Sequence, residues 1–152
     1  MGASLAALAT AYGMEFIGGV KPCVLCLYQR IPYGLVTGLA LMALFLRGDA
    51  KMAVPLCGVF ALIFFGGAGL ALYHVGVEQG WFALPEACGS GETGQGIEAL
   101  RKSLATTPPA RCDEVTWSFL SVSLAGFNLL ASMLLAGLAC AAALSFRKAL
   151  AP

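Results

Sequence analysis

Charge is what this chain has least of. Only 11% of its 152 residues are Asp, Glu, Lys or Arg, against roughly 25% in a soluble domain. So few solvated side chains cannot cover a globular surface, which excludes a water-soluble domain of this length. With 59% hydrophobic residues and a mean hydropathy of +0.84, the chain reads as a single-domain integral membrane protein with little soluble mass. The net charge is only +1 and no basic patch stands out, which argues against nucleic acid as a partner. The amino end carries no basic leader and no small-residue cleavage site ahead of a soluble domain. Its first apolar run is therefore expected to span the membrane rather than to be a cleaved signal. Histidine is reduced to a single residue, His74.

A spanning helix takes about 20 apolar residues. Four runs qualify, at about 3–19, 26–46, 52–77 and 115–146, and they leave a long connection at about 78–114. The expected fold is an all-α bundle of four transmembrane helices. Arg47 and Lys51 lie in the short second connection and Arg147 and Lys148 in the tail, so the positive-inside rule puts these on the cytoplasmic side. Both termini are then cytoplasmic, and the first and third connections face outward. In the long connection Ile97, Leu100 and Leu104 recur at helical spacing, with Glu98 and Lys102 four apart. They predict a short amphipathic helix on the membrane surface. Gly34 with Gly38, and Gly66, Gly67 and Gly69, are expected to let helices pack closely.

Six cysteines in so apolar a chain need an explanation, and their positions offer one. Cys23 and Cys26 follow the first run, and Cys88 and Cys112 lie in the long connection. Four spans put all of them on one side. Disulfides persist in the periplasm, so that side is expected to be periplasmic. Cys57 and Cys140 fall within spans, where a lone cysteine packs as a small hydrophobe. Pro22 suits the first position of a helix, which would carry Cys23 and Cys26 in its first turns, where unpaired N–H groups and the helix dipole favour a thiolate. Arg30, four residues past Cys26 and seven past Cys23, falls on the same helical face. Two adjustable thiols beside a fixed positive charge make a redox arrangement. Glu15, an ionisable residue inside the first run, is a further candidate. No metal is expected. A zinc site built from the four outer cysteines is opposed by their wide separation and by the oxidising compartment.

The run Cys23-Val24-Leu25-Cys26-Leu27-Tyr28-Gln29-Arg30, the four spans, the second cysteine pair and the stretch Cys112–Leu120 together resemble the DsbB family of bacterial inner-membrane disulfide bond formation proteins. The resemblance implies a quinone-dependent thiol oxidase. Such an enzyme reoxidises a periplasmic DsbA-like thioredoxin-fold oxidase and passes the electrons to a membrane quinone, ubiquinone or menaquinone. Carried over residue by residue, Cys23 and Cys26 match the quinone-side pair, Cys88 and Cys112 the loop pair, and Arg30 the arginine near the quinone. The redox-active disulfides are then Cys23–Cys26 and Cys88–Cys112. Gln29 stands where some relatives carry an acid. His74, near the outer end of the third run, is a candidate for the quinone pocket or for handling a proton. The expected exchange starts with the partner attacking Cys88, in a glycine-rich stretch that permits approach. Cys112 then attacks Cys23, and Cys26 leaves as a thiolate near Arg30. Two other readings are a non-enzymatic membrane scaffold with structural disulfides and a transmembrane thiol reductant conductor. The conductor needs cysteines reachable from both sides, whereas Cys57 and Cys140 sit singly in apolar runs.

Overall fold

The computed structural model describes residues 1–46, 50–85, 88 and 110–150. The expected amphipathic helix around Ile97–Leu104 and the glycine-rich run 89–96 lie outside the described residues. Among the described residues the chain forms helices α1 (Gly2–Phe16), α2 (Val24–Tyr28), α3 (Ile31–Phe45), α4 (Ala50–Glu78) and α5 (Leu124–Ala149). Before α5, strands β1 (Ser118–Phe119) and β2 (Val122–Ser123) pair antiparallel, with Ser118 opposite Ser123 and Phe119 opposite Val122.

Three stretches are long and apolar enough to cross a membrane: Val24–Phe45, Lys51–Glu78 and Leu124–Ala149, of 22, 28 and 26 residues. Large apolar side chains cover their outer faces. Phe45, Leu62 and Leu134 are 83%, 72% and 64% exposed, a surface suited to lipid and not to water. α1 has 15 residues. At 1.5 Å per residue it reaches about 22 Å, short of the roughly 30 Å hydrocarbon core. Three of the four expected spans therefore meet the length requirement on helix length alone.

The element boundaries differ from expectation in three places, each for a local reason. The helix at the cysteine pair starts at Val24 and not at Pro22, because Cys23 takes the N-cap position with extended backbone, ψ 170°. The second run is then interrupted at Gln29 and Arg30. Arg30 N–H turns back three residues to Leu27 C=O, at 3.1 Å, and Pro32 has no N–H to continue the ladder from Tyr28. Pro32 is instead accommodated in the first turn of α3, where that N–H is not needed. The last helix starts at Leu124 and not near Val115. Ser123 Oγ caps it by accepting the Gly126 N–H at 3.1 Å, and the residues before it form the hairpin. Leu120 and Ser121 turn that hairpin with φ of 51° and 64°, the left-handed pair a two-residue turn demands.

α4 ends on Gly80, whose φ of +71° closes a Schellman cap. Trp81 N–H reaches Gly76 C=O at 2.8 Å and Gly80 N–H reaches Val77 C=O at 3.1 Å. Glu78, expected in the long connection, thus belongs to the last turn of α4. α4 packs chiefly on α5, α1 packs on α3, and α3 on α4. Of the glycines expected at helix contacts, only Gly67 is at one: a Cβ there would come within 3.1 Å of Pro32 Cγ. Among the described residues, nothing packs closely on Gly34, Gly38, Gly66 or Gly69. Two buried clusters result. One gathers Tyr33, Val36, Phe64 and Ala136 in the bundle; the other gathers Cys23, Leu25, Val77, Cys88 and Cys112 at its end.

Candidate thiol redox site

Four of the six cysteines meet in that second cluster. As N-cap of α2, Cys23 points its sulfur back over the first turn, where it accepts the Cys26 N–H at 3.3 Å. One helical turn on, Cys26 Sγ lies 3.0 Å from Cys23 Sγ, and the two are unbonded. From α4, His74 brings Nε2 to 3.5 Å from Cys23 Sγ. A short parallel bridge pairs Cys23 with Ala110, and so lays the segment carrying Cys112 beside the pair. Cys112 is bonded to Cys88 with a Cα–Cα distance of 5.4 Å.

Three donors therefore converge on Cys23. The Cys26 thiol, more than any other group, lowers the Cys23 thiol from 9.0 to about 4. The His74 hydrogen bond and the Cys26 N–H act in the same direction, and burial opposes them. The geometry makes Cys23 the charged sulfur of the pair, where Cys26 was expected. The reason is the shifted helix start, which turns Cys23 into the group that receives the helix N–H.

Cys26 has a different outlook. It lines a cavity of about 270 Å³ between α1, α3 and α5, whose walls include Leu8, Met14, Phe127 and Ala131 and whose polar groups include Glu15, Gln29, Arg30 and Asn128. Arg30 lines the same cavity as Cys26, although the helix is interrupted just before it. Its Nη1 donates to Glu15 Oε2 at 2.5 Å, and its guanidinium lies 4.6 Å over the Tyr12 ring. His74 is not part of the cavity wall; it is buried behind Cys23.

A family model described as disulfide bond formation protein DsbB matches residues 1–142. The chain belongs to the DsbB family. It is 34% identical over 152 residues to disulfide bond formation protein B 2 of Pseudomonas putida, covering 95% of this chain and 86% of that one. It is 33% identical over 141 residues to disulfide bond formation protein B 2 of Pseudomonas entomophila, covering 90% and 82%. A third relative, disulfide bond formation protein B of Marinobacter nauticus, is 35% identical over 131 residues, covering 80% and 74%. No solved structure matches.

Within this DsbB family member, the expected order of exchange meets one obstacle. Cys88 and Cys112 are 3% and 0% exposed, so the closed loop disulfide does not present itself to solvent as expected. It packs against Cys23, Leu25 and Val77. Sulfur and nitrogen atoms of Cys23, Cys26 and His74 lie within 4.8 Å of one another.

Sequence reasoning did not anticipate Asn128, Ser132 and Glu78. Asn128 and Ser132 stand four apart in an otherwise apolar helix, which is the pattern of a polar stripe facing a neighbour. Cys57 on α4 and Cys140 on α5 are half-buried free cysteines remote from the cluster. Replacing both by Ala is expected to leave thiol oxidation within about threefold of the parent. A loss beyond about tenfold, about 1.4 kcal/mol of barrier, would show that more than four cysteines take part.

Proposed function

We propose that this protein oxidises the dithiol of a DsbA-like thioredoxin-fold partner in the periplasm and delivers the electrons to a membrane quinone, ubiquinone or menaquinone. The supporting observation is a series: a closed disulfide, Cys88–Cys112, packed on an open pair, Cys23 and Cys26, with a cavity behind Cys26. A partner thiolate attacks Cys88; that bond forms, Cys88–Cys112 breaks, and Cys112 leaves with the electron pair. Cys112 attacks Cys23 of a closed Cys23–Cys26 pair, and Cys26 leaves. The partner's second thiolate takes back its own sulfur and frees Cys88. Cys88 then attacks Cys112, re-forms the loop disulfide and releases Cys23. The two electrons then reside on Cys23 and Cys26, with the loop disulfide closed again.

The cavity suits a quinone head: its walls are largely apolar, and Arg30 supplies a fixed cation at the same wall as Cys26. A quinone held there by these residues would supply the sink for two electrons and two protons. Arg30, steadied by Glu15 and Tyr12, would donate to a quinone oxygen and favour negative charge on it. In the membrane, α1 would complete a four-helix bundle in the bacterial inner membrane. The cysteine-bearing connections would be periplasmic, with a surface helix in the long one, and both termini cytoplasmic.

The test is quinone consumption by purified protein given a reduced thioredoxin-fold oxidase and a short-chain ubiquinone. One quinone should disappear per partner disulfide formed, and no consumption would refute the reading. Arg30→Gln should raise the KM for quinone at least about tenfold. The first round of disulfide exchange with the partner should stay unchanged, since that step does not involve Arg30.

A further inference from the structure

A file of buried and half-buried polar side chains runs from the bundle interior to the redox pair. Tyr33 hydroxyl donates to Asn128 Oδ1 at 2.5 Å, and Asn128 Nδ2 donates to Gln29 Oε1 at 2.8 Å. Gln29 Nε2 lies 2.9 Å from His74 Nδ1. Ser132 Oγ, 3.2 Å from the Tyr33 oxygen, can donate into its start. These links join the turn after α2 with α3, α4 and α5. Once Gln29 donates to Nδ1, the proton of a neutral imidazole must sit on Nε2, the nitrogen that faces Cys23 Sγ at 3.5 Å.

Turning both amides over would reverse the file and put the proton on Nδ1. Two groups at the other end decide against that. Cys23 Sγ, as a thiolate, needs a donor at Nε2. Glu78 Oε1, 3.9 Å from Nε2 and held in place through Oε2 by Ser123 Oγ, also attracts a proton there. The other groups around Cys23 are the Cys26 thiol and the Cys88–Cys112 disulfide. Arg30 is engaged with Glu15.

We propose that Gln29, held by Asn128, is a positioning residue that fixes His74 as the Nε2–H tautomer, so that this imidazole donates to the Cys23 sulfur whenever that sulfur is charged. This deepens the proposed thiol oxidase reading, since it takes Cys23 as a reacting sulfur. His74 then acts as a donor through Nε2 and not as a base. It keeps its proton when Cys23 is released from Cys112 with its electron pair, and keeps it again when Cys23 and Cys26 close and the pair leaves for the quinone.

Because His74 is the only histidine, nitrogen NMR of histidine-labelled, reduced protein in detergent reads its tautomer without ambiguity. The parent should show a protonated Nε2 and a bare Nδ1. Gln29→Met, which cannot donate, should give a mixture of tautomers. It should also raise the pH midpoint of Cys23 alkylation by about one unit, a tenfold weaker preference for thiolate. Asn128→Asp is nearly isosteric, so it keeps the test available if the Met variant misfolds. Its carboxylate cannot donate to Gln29, so Gln29 must turn over, present its oxygen to Nδ1, and invert the tautomer. A proton on Nδ1 in the parent, an unmoved tautomer in either variant, or an unmoved Cys23 midpoint in Gln29→Met overturns the proposal. None of these readouts uses the partner or a quinone. They can fail while quinone turnover stands, and turnover can fail while they hold.

Discussion

Cys112→Ser should reduce turnover at least about a thousandfold, roughly 4 kcal/mol of barrier, while leaving Cys88 able to capture the partner. In the proposed exchange the loop disulfide joins the partner to the inner pair, and Cys112 is its inner sulfur: 0% exposed and carried by the segment that bridges to Cys23 through Ala110. A serine oxygen there can neither leave as a thiolate nor attack Cys23. Cys88, now free, can attack a partner whose second cysteine is replaced and whose remaining cysteine is held as a mixed disulfide with a small thiol. The partner–Cys88 bond forms and the small thiol leaves with the electron pair. With neither Cys112 nor a second partner sulfur to displace the partner, the adduct has no exit. Mass mapping of the trapped species should place the partner on Cys88. An adduct on Cys23 or Cys26 would mean that the partner reaches the inner pair directly and that the order of exchange is wrong. The same experiment measures the obstacle noted above. Capture by Cys112→Ser protein should be faster than attack on the closed parent, because its Cys88 is no longer tied into the buried cluster.

The chemistry of this molecule is legible in its sequence because reactive sulfur is rare and its spacing is local. Cys23 and Cys26 are one turn apart, and nothing in the apolar runs around them competes for a redox role. The apolar runs were also legible, since lipid solvation is a bulk property of 20-residue windows. What escaped is what depends on a single residue's cap or on long-range pairing. The start of α2 moved because Cys23 itself satisfies the helix N–H, and the start of α5 moved because Ser123 does the same. Pro32 was visible, but the turn at Gln29 and Arg30 follows from where its missing N–H falls in the ladder. Gln29 meets His74 across 45 residues and Asn128 across 99, and no local pattern encodes either contact. The glycines misled for a related reason: a small side chain permits close approach, but among the described residues only Gly67 is met by neighbours, Pro32 and Ser132.

Cys26→Ala should raise the pH midpoint of Cys23 alkylation by at least about two units in the reduced protein, the largest shift expected from any single neighbour. In the parent, Cys23 is lowered to about 4, first by the Cys26 thiol, then by His74 and the Cys26 N–H, against burial. A lowered value means that the thiolate is present above about 4 and is lost only as the pH falls through it. Alkylation of the parent should therefore be flat from pH 6 to 9 and decline only near the acid end. Removing the Cys26 thiol leaves the backbone N–H and His74 in place, so the midpoint should move up toward 9.0 without reaching it. In acid that shift makes alkylation slower in the variant, whereas above both midpoints the two proteins should react alike, because the sulfur is then ionised in each. The comparison has to be made in acid, and a difference confined to alkaline pH would point to altered access and not to altered charge. A parent protein whose Cys23 reactivity rises with a midpoint near 9 would show that the converging donors do not hold a thiolate there. The leaving group that closes the loop disulfide would then have to be stabilised by something other than Cys26 and His74.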